Sequence, residues 1–135
     1  MQWVVTRPTI NLQSGRKIGS VKPKIIFLIR SNPVKDSRVA EAVRMAAGFG
    51  TGENSVKIVL TGDARHLLDP DIEEMADMEV IERFLPILGE WNIPFYVEKE
   101  SMESFRFPKS GYDIQPMGPE EMAEVMAGGH CFFVF

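Results

Sequence analysis

The chain's single cysteine, Cys131, directly follows one of its two histidines, His130, in the closing segment "GGHCFFVF". Such a pair does nucleophilic or sulfur-carrying chemistry only if the two side chains come within hydrogen-bond reach, about 3 Å. The aromatic and branched residues around them read as a strand, in which His130, Phe132 and Val134 share one face and Cys131, Phe133 and Phe135 the other. Neighbours in a regular strand therefore point apart, and a free cysteine among apolar groups is inert. Cys131 is thus a weak catalytic candidate and a good core residue.

Other chemistry-bearing residues fall in three short stretches. "SNPVKDS" offers Asn32. "TGDARH" brings Asp63 and His66 to within three residues, short of the three or four ligands a metal site needs; the plainer roles are a helix cap for Asp63 and packing for His66. "EKESMES" gathers Glu98, Glu100 and Glu103 around Ser101 and Ser104, with no partner base evident; a serine there also suits the cap of a short helix. The glycines of "GFGTG" follow a helix and precede a strand, the reverse of the order a phosphate-binding loop requires. No metal or cofactor motif is found.

The elements that must position these residues alternate between strand and helix. "KIIFLIR" from Lys24 is nearly all apolar, as a parallel strand covered on both faces must be. After it, Val39, Val43 and Ala46 or Ala47 recur at helical spacing, with Pro33 placed to open that helix. "SVKIVL" (55–60) is a second strand. Helical stretches follow over 71–92, carrying an Ile81, Phe84, Leu85 and Leu88 stripe, with Pro86 expected to bend or interrupt them. "IPFYV" (93–97) is a third strand, "YDIQPM" (112–117) a short one, "GPEEMAEVMAGG" a helix, and "HCFFVF" the last strand.

This alternation predicts a three-layer α/β/α, flavodoxin-like domain with a mainly parallel four- to five-stranded sheet. Residues 23–135 form the domain, and 1–22 an extension whose "WVV" could join a sheet edge or a neighbouring subunit. Ligand sites in such sheets lie at the carboxyl ends of the strands, which is where Asn32, Asp63, His66, Glu98 and Ser101 are expected. At 135 residues there is room for one core. A net charge of -4 speaks against a nucleic-acid binder. No stretch reaches the roughly 20 apolar residues of a membrane span. With no evident secretion signal and one cysteine, the expected compartment is the cytoplasm.

Read together, "KIIFLIRSNPVKDSRVAEAVRMAAGFG", "VKIVLTGDARHLL", "IPFYVEKESM" and "EEMAEVMAGGHCFFVF" resemble the DsrE/DsrF-like family of small sulfur-relay proteins, over about residues 24–135. The resemblance implies the same fold and a homo-oligomer, trimeric or hexameric, with sulfur-relay partners. It also implies a persulfide-bearing cysteine in the loop after the third core strand. Setting the family's "V-C-G-A-C-L" pattern on "V-E-K-E-S-M" (97–102) puts Glu98 and Ser101 where the cysteines would stand. A serine hydroxyl cannot hold a persulfide. The expected function is therefore a non-catalytic binding or assembly subunit. The alternatives are a sulfurtransferase-like carrier using Cys131, and a small-ligand domain whose polar groups are Asn32, Asp63 and Glu98.

Overall fold

A computed structural model describes residues 3–6, 22–103 and 108–135. The elements in order are β1 (Trp3–Thr6), β2 (Lys24–Ile29), α1 (Arg38–Gly50), β3 (Ser55–Leu60), a 3-10 helix (Gly62–Leu68), α2 (Met78–Glu90), β4 (Pro94–Glu98), α3 (Lys99–Met102), β5 (Asp113–Met117), α4 (Pro119–Ala127) and β6 (Cys131–Val134). They build one sheet in the order β1-β6-β2-β3-β4-β5. The five strands β6, β2, β3, β4 and β5 are mutually parallel, and β1 adds to β6 antiparallel. The "WVV" segment thus joins a sheet edge of its own chain.

Topology follows from crossover handedness. Each step β2→β3→β4 moves the same way across the sheet, so right-handed connections put α1 and α2 on one face. The β5→β6 connection returns across the whole sheet, which puts α4 on the opposite face. The core divides accordingly. Ile25, Phe27 and Ile29 of β2 pack under α1 and α2 with Val39, Val43, Ala46, Ala47, Ile81, Leu85 and Leu88. On the other face Ile26, Val59, Tyr96 and Phe132 are covered by Met122, Val125 and Met126 of α4.

The last strand alternates as expected. Cys131 and Phe133 pack toward the α1/α2 core and Phe132 toward α4. Phe133 stacks on Phe27 with ring centroids 5.1 Å apart, and Phe135 lies 6.1 Å from the same ring. The edge strand β5 carries Pro116, a residue that sheets confine largely to edge strands because it has no N–H to give the ladder.

Several local expectations are corrected. Residues 71–77 hold no helix; α2 begins at Met78 after Asp77 in a left-handed turn (φ 56°). Pro86 does not interrupt α2. Its ring deprives the Glu82 carbonyl of a donor, but both residues lie on the exposed side, open to solvent, while Ile81, Leu85 and Leu88 anchor the buried side. Pro33 does not open α1, which starts at Arg38; Pro33 is buried in the preceding turn and its carbonyl accepts the Ala76 N–H at 2.9 Å. That bond ties the β2 loop to the segment before α2.

Candidate functional site

The parallel strands β3, β4 and β5 bring three chain segments together at their carboxyl ends. Thr61 follows β3, Glu98 closes β4 with Lys99 opening α3 after it, and Met117 closes β5 with Gly118 leading into α4. The chain leaves β3 toward α2 on one face and leaves β5 toward α4 on the other, and ligand crevices form in such sheets where connections diverge. A cavity of about 300 Å³ opens there, lined by Thr61, Glu98, Lys99 and Glu100 on one side and by Met117, Gly118, Pro119, Met122, Ala123 and Met126 on the other. That volume is at the lower end of small-molecule sites, about 300–1,000 Å³.

Its walls are set by short-range geometry. Glu98 Oε1 accepts the Gly62 N–H at 2.9 Å, tying the end of β4 to the turn after β3. Gly62 has φ 56°, a conformation that favours glycine and turns this N–H toward the carboxylate. Across the opening, Lys99 Nζ lies 3.7 Å from Glu121 Oε1 on α4. The same oxygen accepts the Gly118 N–H at 3.2 Å, the half of a capping box open to a glycine N-cap. Met122 and Met126 stand four residues apart on α4 and so project from one side of it.

Of the ligand-binding candidates Asn32, Asp63, His66, Glu98 and Ser101, only Glu98 lines this cavity, joined by its neighbour Glu100. Ser101 lies within α3, half-buried, and the position before α3 is Glu98, whose side chain makes no capping bond to it; Ser104 lies outside the described residues. Asn32 turns inward on its own loop, its Oδ1 accepting the Val34 N–H at 3.0 Å. Asp63 does not cap the 3-10 helix, whose N-cap is Thr61; it pairs with Arg65 at 3.4 Å. His66 Nδ1 is 3.9 Å from Asp69 Oδ2, too far for a hydrogen bond. Near it, burial pushes the Lys109 ammonium below its ordinary pKa, against the opposing pull of Asp69 and Glu82. Among the described residues no group of three or more His, Cys, Asp or Glu is placed to hold a metal ion.

Cys131 is at the other end of the sheet. It pairs with Ile25 near the start of β2, whereas the cavity lies beyond the last residues of β3, β4 and β5. Burial raises the thiol pKa, which disfavours the reactive thiolate. His130 is occupied structurally: its Nδ1 accepts the Lys24 N–H at 3.0 Å, and its own N–H donates to the Lys24 carbonyl at 2.8 Å.

The sequence matches the DsrE/DsrF-like family over residues 23–135. The chain belongs to that family. A solved relative in shape is the ychN protein from E. coli, which superposes with a TM-score of 0.70 at 18% identity, covering 84% of this chain and 99% of that one. At that identity the likeness establishes the fold. No curated protein shows significant similarity. Among the described residues no helix is long and apolar enough to cross a membrane.

Sequence reasoning missed the methionine wall of Met117, Met122 and Met126. The signal available was the i, i+4 spacing of Met122 and Met126, which marks a helix side but does not say what it faces. Only the β5-to-β6 crossover decides that.

Proposed function

We propose that this DsrE/DsrF-like protein is a non-carrier subunit that works by binding at the carboxyl ends of β3, β4 and β5. One observation carries the reading: where the family resemblance calls for a persulfide cysteine, after β4, α3 bears Ser101, and the chain's one thiol is at the opposite end of the sheet. A hydroxyl forms no persulfide, and Glu98, Glu100 and Glu103 around it would disfavour a thiolate. Incubation with a cysteine desulfurase, cysteine and pyridoxal phosphate, followed by intact mass measurement, is expected to show no added sulfur. A gain of one sulfur atom on Cys131 that a thiol reductant removes, as it does not remove a sulfinic acid, would overturn the reading in favour of a sulfurtransferase-like carrier.

The resemblance also supports a homo-oligomer, trimeric or hexameric, acting in the cytoplasm beside sulfur-relay partners. Trp91, 42% exposed at the end of α2, and the apolar surface it forms with the half-buried Phe84 and Ile87 are compatible with such packing. Light scattering after size exclusion is the check; a monomer at micromolar concentration counts against assembly.

A further inference from the structure

We propose that the cavity beside Glu98 and Glu100 takes a small organic cation, an amine or guanidinium carried on an apolar body. The proposal deepens the binding role given above and rests on it.

Two properties of the site define the ligand. One wall is thioether-rich: Met117, Met122 and Met126 are half-buried, with the exposed Ala123 beside them. Methionine is unbranched and polarisable, so such a wall adapts its shape to an apolar or aromatic group and makes favourable sulfur–aromatic contacts. The opening is acidic. Glu98 and Glu100 line it, against the single ammonium of Lys99, which is already 3.7 Å from the Glu121 carboxylate on α4. Glu98 is the fixed member, because Gly62 holds one carboxylate oxygen and so orients the other.

A competing influence comes from the N-terminus of α4, which borders the cavity and by its dipole would favour an anion. That end is already compensated. Glu120 and Glu121 occupy its first turn, and Glu121 accepts the Gly118 N–H. The surplus of negative charge therefore selects a positive head group, and the methionines select an apolar tail.

The test uses protein labelled with 13C at its methionine methyl groups, titrated with 3-phenylpropylamine, 3-phenylpropan-1-ol and 3-phenylpropanoate. The amine is expected to shift the methyls of Met117, Met122 and Met126 while leaving Met45 and Met75 unmoved. It should bind about tenfold more tightly than the carboxylate, a gap that narrows as salt screens the opening. Glu98→Gln and Glu100→Gln should each reduce the preference for amine over alcohol about threefold, at unchanged melting temperature. Ala123→Leu narrows the cavity and should abolish all three sets of shifts. A carboxylate or alcohol that binds as tightly as the amine overturns the choice of head group; absence of pocket-methyl shifts with every probe overturns the site. Persulfide formation at Cys131 would instead strike the non-carrier reading, and a mass spectrum reads it separately from these spectra.

Discussion

At the residue scale, Cys131 and Glu98 show how position decides the use of a reactive group. The Cys131 thiol has its pKa raised by burial among core residues, so the native state holds its proton more tightly than the unfolded chain does. Alkylation by iodoacetamide at mildly alkaline pH is therefore expected to be several-fold slower in native protein than in denaturant. The native rate should still be climbing with pH where the unfolded chain's has levelled off. Equal rates would mean that the thiol is not shielded. The linkage sign follows: a raised native pKa contributes stability in full below the unfolded thiol's pKa and loses it as pH rises through the native value, so denaturation midpoints should fall on the alkaline side and be restored by Cys131→Ala. Glu98 behaves differently, being held by a backbone donor. Glu98→Ala leaves the Gly62 N–H without its partner and should cost about 1 kcal/mol in urea melts, while Glu98→Gln, which keeps an acceptor oxygen, should leave the midpoint unchanged.

At the scale of elements, two helical glycines with the same sequence appearance have opposite surroundings. A Cβ at Gly89, near the end of α2, would sit 2.6 Å from the Gly111 carbonyl oxygen and 3.0 Å from the Tyr112 ring. Backbone cannot yield as a side-chain tip does, so Gly89→Ala should destabilise the fold by about 1–3 kcal/mol. A Cβ at Gly48 in α1 would meet nothing within 4 Å, and Gly48→Ala should stabilise by about 0.5–1 kcal/mol by removing unfolded-state freedom. Chemical denaturation of the two variants checks both; a matching sign would refute the contrast. This pair also marks the limit of sequence reading. The α1 stripe of Val39, Val43, Ala46 and Ala47 and the α2 stripe of Ile81, Leu85 and Leu88 were legible because burial imposes a 3.6-residue period. The start of α2 was not, since Asp71 to Asp77 is a turn tied to Pro33 by a backbone bond between segments far apart in sequence. Nor could spacing reveal that Pro86 stands on the exposed side of an unbroken helix.

At the scale of the whole molecule, strand identity and parallel pairing were readable from apolar runs, because a strand covered on both faces tolerates few polar residues. Strand order was not, and the site depends on it. Thr61, Glu98 and Met117 come together only because β3, β4 and β5 are consecutive in the sheet, and the methionine wall faces them only because the chain then crosses the sheet to reach β6. Asn32, Asp63 and His66, on loops leaving strands on the α1/α2 side, stay outside that cavity. The same order places β6 one strand from the edge, with β2 on one side and β1 on the other. Pairing runs from Trp3 opposite Val134 to Thr6 opposite Cys131, so β1 covers β6 along its full length. Removing residues 1–6 would leave the parallel sheet and both helical layers intact but turn β6, with its CFFV sequence, into an uncovered edge. The truncated protein is expected to keep its far-UV circular dichroism, to melt about 3–6 °C lower for a loss of roughly 1 kcal/mol, and to self-associate with rising concentration, as unpaired apolar edges do. An unchanged melting point and an unchanged light-scattering mass would show that β1 contributes neither stability nor edge protection, and loss of the circular dichroism signal would show that the parallel sheet does not stand without it.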